Sequence, residues 1–153
     1  MKLIHDIDNI GKMADRIEQL KGVKIKVGLL GSGDAGATHD NADITILEIG
    51  NIHEFGAPSV GIPERSFIRS TFDEKEGEMA ETIEVALIKF VMGDIDYEAT
   101  MDFLGSYLVG LVQQTIADMT SPPNKPATIK YKGSSGVLVD TGQLVGSISY
   151  EVV

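Results

Sequence analysis

Gly31-Ser32-Gly33-Asp34-Ala35-Gly36 has the G-x-G-x-x-G spacing that lets a backbone approach a pyrophosphate at a helix N-terminus. A strand-like stretch precedes it, as that chemistry requires. The context then departs from the pattern. Thr38-His39-Asp40-Asn41 separates the last glycine from any helix, and no second strand ends in an acidic residue about 20 positions on. His53-Glu54-Phe55-Gly56-Ala57 starts as H-E-x-x-H but ends in alanine, so the second zinc histidine is missing. His5, His39 and His53 are the only histidines, and their spacing suggests no site. Asp73-Glu74-Lys75-Glu76 and Glu78 read as a solvated helix face, with no spacing that asks for a cation. The absence of cysteine removes disulfides and thiolate metal sites. No serine–histidine–aspartate arrangement can be built beyond composition. The reading is therefore of a chain with no catalytic residue, no cofactor and no metal.

Asp140-Thr141-Gly142, after Val137-Leu138-Val139, is the one run with a stronger chemical claim. It resembles the catalytic loop of aspartic proteases, in which two carboxylates share a proton, each held by a D-T-G loop in a β-rich fold. Dimerisation could supply the second copy. Such a fold needs many strands after the motif to form the flap and cleft, whereas only the 11 residues 143–153 follow. Long helical patterns upstream also disagree with an all-β enzyme. An aspartic-type protease using Asp140-Thr141-Gly142 thus stays as the alternative reading. A local role for the run is a turn, with Asp140 or Thr141 capping it and Gly142 relieving the backbone.

At 153 residues the length fits one domain, 1–153, with room for a sizeable core. The formal charge of −10, from 13 basic and 23 acidic residues, opposes a groove that grips nucleic-acid phosphates. An acidic surface aids solubility, and it would also let DNA slide past without sticking. The opening residues lack the apolar core of a secretion signal, and no apolar run reaches the ~20 residues of a membrane span.

Any function must be positioned by elements that the pattern predicts. Residues 6–21 form an amphipathic helix with Ile7, Ile10, Met13, Ala14, Ile17 and Leu20 on its stripe, closed by Gly22. Residues 23–29 alternate, with Val23, Ile25, Val27 and Leu29 on one face of a strand. Residues 31–41 form a flexible loop. Residues 41–54 suggest a helix with Asn41 as a candidate cap, although Ile44 and Ile46 also fit a strand, and Gly56, Pro58, Gly61 and Pro63 then interrupt regular structure. One long helix covers 65–92, with a possible bend at Gly77. A second covers 96–119 behind an Asp96 N-cap, and the two form an antiparallel hairpin. Residues 120–136 are an extended arm or loop, residues 137–146 a short turn or helix, and 147–153 a terminal strand. The fold class is α+β: a small antiparallel sheet packed with a long two-helix hairpin, plus an N-terminal helix, an extended loop and an arm.

Two separated segments carry the remaining signal. One is Glu54-Phe55-Gly56-Ala57 followed by Ile62-Pro63-Glu64-Arg65-Ser66-Phe67-Ile68. The other is Leu138-Val139-Asp140-Thr141-Gly142-Gln143-Leu144, then Ser147-Ile148-Ser149-Tyr150-Glu151-Val152. Together, over residues 23–153, they resemble the virion morphogenesis, neck and tail-completion proteins of tailed bacteriophages, the head–tail connector group. That group shares the E-F-G turn, a proline–arginine–phenylalanine segment opening a helix, and a closing L-x-D-T-G-x-L-x-x-S-I element. The arm here lacks the tryptophan and the longer basic run of some members, so neck and tail-completion rings both remain open.

The resemblance implies a non-enzymatic homo-oligomeric ring of six or twelve subunits in the virion, at the head–tail junction, made in the bacterial host cytoplasm. It implies portal-side connector and tail tube or terminator proteins as partners, DNA passing nearby without sequence-specific binding, and no membrane. It marks Glu54, Phe55, Gly56, Pro63, Arg65, Phe67, Leu138, Asp140, Thr141, Gly142, Leu144, Ser147 and Ile148 as the subunit-contact or structural motif. Physically, Pro63 can start the next helix, Arg65 can reach a carboxylate, and Phe67 and Ile68 can anchor the helix in the core. The edge of the terminal strand could pair with a neighbour's sheet. A cytoplasmic binding module, docking through the helical hairpin, is a further alternative.

Overall fold

A computed structural model describes residues 2–30, 34–40, 43–132, 136–138 and 142–153. In chain order the elements are α1 (Lys2–Gln19), β1 (Ile25–Leu29), α2 (Ile46–Phe55), α3 (Phe67–Glu74), α4 (Glu76–Met92), α5 (Tyr97–Asp118), α6 (Pro126–Lys132), α7 (Gln143–Gly146) and β2 (Ile148–Val152). The architecture is α+β. The two strands pair antiparallel with Ile25 opposite Val152, Val27 opposite Tyr150 and Leu29 opposite Ile148. One face of this ribbon lies on α5.

α5 is the central element because apolar residues surround it. Leu104, Leu108, Leu111, Val112 and Ile116 are all buried, against α3, α4 and both strands. Asp96 caps it as its sequence predicts, its side chain accepting from Ala99 N at 2.8 Å. The turn from α4 is closed by Gly93 in the left-handed region, φ 89°, with its N–H donating to the Lys89 and Phe90 carbonyls. Phe90 and Tyr97 then meet edge to face at 6.0 Å across the turn.

The helix expected over 65–92 is two helices. The break falls at Lys75, φ −109° and ψ 13°, while Gly77 sits inside α4. The first of them starts at Phe67, four residues after Pro63, so the proline ends a loop and does not open the helix. α2 starts behind Thr45, not Asn41, which lies outside the described residues. Thr45 and Glu48 form a reciprocal capping box: the Thr45 hydroxyl accepts from Glu48 N at 3.2 Å, and the Glu48 carboxylate accepts from Thr45 N at 2.8 Å. Within the 31–41 loop, Asp34–Gly36 form a 3-10 turn with Ala35 buried. The arm contains a helix, α6, that starts at Pro126, where a missing N–H costs nothing.

Candidate functional site

The first motif folds back on itself. Gly56, at φ 72°, turns the chain out of α2; a Cβ there would lie 2.8 Å from Glu64 N, so only glycine fits. Residues 57–62 form a small loop closed by paired bonds between Ala57 and Ile62, at 2.9 and 3.1 Å. Its return places Glu64 and Arg65 beside the end of α2, with Arg65 N donating to the His53 carbonyl at 2.7 Å.

Glu54 is buried and acts as a cap for a helix that is not its own. Its carboxylate accepts from Ile68 N at 2.9 Å and from Arg69 N at 3.0 Å. Those are orphan donors of the first turn of α3, whose N-cap Ser66 makes no side-chain bond. The negative charge also meets the positive end of the α3 dipole. Arg69 closes the arrangement: Nε donates to Glu54 at 3.2 Å, Nη2 donates to the Glu54 carbonyl at 2.9 Å and to Glu64 at 2.6 Å. The hydrogen bond that Arg69 donates to Glu54 holds the Arg69 pKa above the ordinary arginine value. Its guanidinium sits 5.2 Å from the centre of the exposed Phe55 ring.

Among the described residues Arg65 meets no carboxylate of its own chain. It is buried, and it donates to the Pro122 carbonyl at 2.9 Å, the Pro123 carbonyl at 3.3 Å and Asn124 Oδ1 at 3.2 Å. Two prolines contribute carbonyl acceptors, and the planar fork of arginine fits several at once. Burial pushes its pKa below the ordinary value, and arginine still remains cationic. Asn124 continues the chain of contacts, donating from Nδ2 to the Gly136 carbonyl at 3.0 Å. Arg65 is therefore the pin that fixes the root of the arm. Neither Asn124 nor the proline carbonyls stand out in the sequence, because backbone acceptors carry no residue signature. Arg69 could have been found as a cation fifteen residues after Glu54.

The second motif meets the first in the core. Phe67, Leu138, Leu144 and Ile148 belong to one buried cluster with Ile46, Val112, Ile116 and Val137. Asp140 and Thr141 lie outside the described residues. Gly142, φ 82°, precedes α7, and buried Ser147 donates its N–H to the Gln143 carbonyl at 2.9 Å. Gln143 Oε1 accepts from Asp40 N at 3.1 Å, which ties the 34–40 loop to this end of the chain. Pro63 and Phe55 are exposed.

The outer helix faces differ in chemistry from the polar contacts of Glu54, Arg65 and Arg69. α1 was expected to bury its stripe, yet Ile10 and Ile17 are exposed. Ile88 and Met92 on α4 are 54% and 60% exposed. An apolar groove between α1 and α4 is lined by Met13, Ile83, Leu87, Ile88, Val91 and Met92. A second, lined by Val85, Ala86, Ile95 and Phe103, lies between α4 and the start of α5. Among the described residues no group of three His, Asp or Glu side chains converges as a metal site would require, and no helix is long and apolar enough to cross a membrane. Searches of family models, curated proteins and solved structures find no match to this chain.

Proposed function

We propose that this chain is a non-enzymatic structural subunit of a closed ring at the head–tail junction of a tailed bacteriophage, in a neck or tail-completion position. The observation that carries the oligomeric part is the apolar stripe left in water on α1 and α4. Ile10, Ile17, Ile88 and Met92 have the spacing of core positions but are left exposed by the described residues. The apolar groove between the two helices, lined by Met13, Ile88 and Met92, is the kind of exposed apolar surface that marks an interface.

The phage assignment rests on the two ordered motifs, and their packing supports treating them as one unit. Glu54 and Arg65 of the first fix α3 and the arm, and Phe67 shares a core with Leu138, Leu144 and Ile148 of the second. Motifs that jointly set an architecture fit a mechanical part better than a catalyst. In such a ring the net charge of −10 keeps DNA mobile in the channel, without sequence-specific binding. Portal-side connector and tail tube or terminator proteins are the partners on the two faces, and six or twelve copies are the expected ring sizes.

The test is electron microscopy of particles assembled without this chain. Full heads separated from tails are expected. Intact, infectious particles in its absence would overturn the reading.

A further inference from the structure

The ribbon has two free edges, and the register says which groups point out of them. Lys24 and Val153 exchange both backbone bonds, N–H to carbonyl at 2.8 and 2.9 Å. Bonded pairs alternate in an antiparallel ladder, so Lys26–Glu151 and Gly28–Ser149 are also bonded pairs. The N–H and carbonyl groups of Ile25 and Val27 therefore point away from β2, and those of Tyr150 and Val152 point away from β1. Among the described residues none of these outward groups finds a hydrogen bond beyond the ladder. Each edge is a row of unmet donors and acceptors.

Charge separates the ways in which two such edges could meet. On the face turned from α5, the β1 edge carries exposed Lys24 and Lys26, and the β2 edge carries exposed Glu151. Joining β1 to β1 sets lysines against lysines, and joining β2 to β2 sets Glu151 against itself. Like charges placed directly opposite destabilise a sheet, and opposite charges stabilise it. Only β1 of one copy against β2 of the next brings Lys26 beside a Glu151, as it already is within the chain. That joint is head-to-tail, and repeated head-to-tail joints close into a ring.

We infer that the β1 edge of one copy pairs antiparallel with the β2 edge of the next, so that the two-stranded ribbons run into one continuous sheet around the assembly. The occupant of each edge is a second copy of this chain. The inference rests on the ring reading above and names the joint that builds the ring.

Val152→Pro tests it, because the N–H it removes points outward and the β1–β2 ladder keeps all its donors. Wild type is expected to assemble in analytical ultracentrifugation, and Val152→Pro to remain monomeric with unchanged helical circular dichroism and melting temperature. A Val152→Pro chain that assembles like wild type overturns the strand joint while leaving the ring reading intact. A wild-type chain that never associates overturns the ring reading itself. Should Val152→Pro fail to fold, charge reversal decides. Lys26→Glu puts a glutamate, and Glu151→Lys a lysine, at the paired position of both edges, so each alone should associate up to about tenfold more weakly than wild type. Mixed together, they alternate opposite edges and should assemble again. Intrachain effects cannot produce that rescue, since both variants keep a like-charged pair within their own ribbon. No rescue on mixing overturns the proposal.

Discussion

Arg65 holds the carbonyl of Pro122 at 2.9 Å across 57 residues of sequence. The same guanidinium also holds Pro123 and Asn124, so a loop after α2 fixes the root of the arm that follows α5. Arg65→Lys keeps the charge but loses the fork, so a buried cation can no longer hold all three acceptors at once. It should lower stability by about 1–3 kcal/mol in urea unfolding. It should also speed tryptic cleavage at Lys130 and Lys132, since α6 hangs from this anchor. Unchanged stability and cleavage would show that the arm is held elsewhere.

Glu54→Gln should cost about 2 kcal/mol or more, because one oxygen that accepts from the start of α3 becomes a donor facing donors. Glu64→Gln removes only an exposed partner of Arg69 and should stay within about 0.5 kcal/mol of wild type. Equal effects at the two positions would contradict the capping role of Glu54.

Gly105 gives Tyr150 its seat, since a Cβ there would enter the Tyr150 ring. Gly105→Ala should gain about 1 kcal/mol of helix propensity yet destabilise overall by about 1–3 kcal/mol through displacement of the ring. In a Tyr150→Ala background the same change should become neutral or stabilising. A double-mutant cycle by thermal denaturation reads this coupling.

The Tyr150 hydroxyl donates to Asp102, and that bond raises its pKa above the ordinary 10.0. A raised folded value means that the stabilisation is present below pH 10.0 and is lost as pH rises through the folded value. Absorbance titration of the four tyrosines should therefore show one ionising late, and Asp102→Asn should bring it forward. At the acid end the sign reverses. The backbone N–H of Thr45 lowers the Glu48 pKa from 4.5, so the capping box stabilises α2 above that pH and is lost as pH falls through the lower folded value.

Helical stripes and caps made most of the fold legible. Asp96 is a local signal with a local consequence, and the structure uses it as the sequence implies. Asn41 and Thr45 both read as caps for α2, and the reciprocal Thr45-x-x-Glu48 box, the stronger signal, sets its start. The α3–α4 break carries no breaker residue at Lys75, so periodicity ran straight through it. The role of Arg65 was hidden for another reason. An arginine reads as a partner for carboxylates, but here the acceptors are backbone carbonyls far along the chain. Likewise, periodicity marks Ile10 and Ile17 as buried without saying whether their own chain buries them.

The mass of the wild-type assembly, measured by native mass spectrometry over a range of concentrations, tests the central claim most directly. A single closed species of six or twelve copies is the expected result. A chain that is monomeric at every concentration, and still monomeric when mixed with portal-side or tail-side proteins, would contradict it.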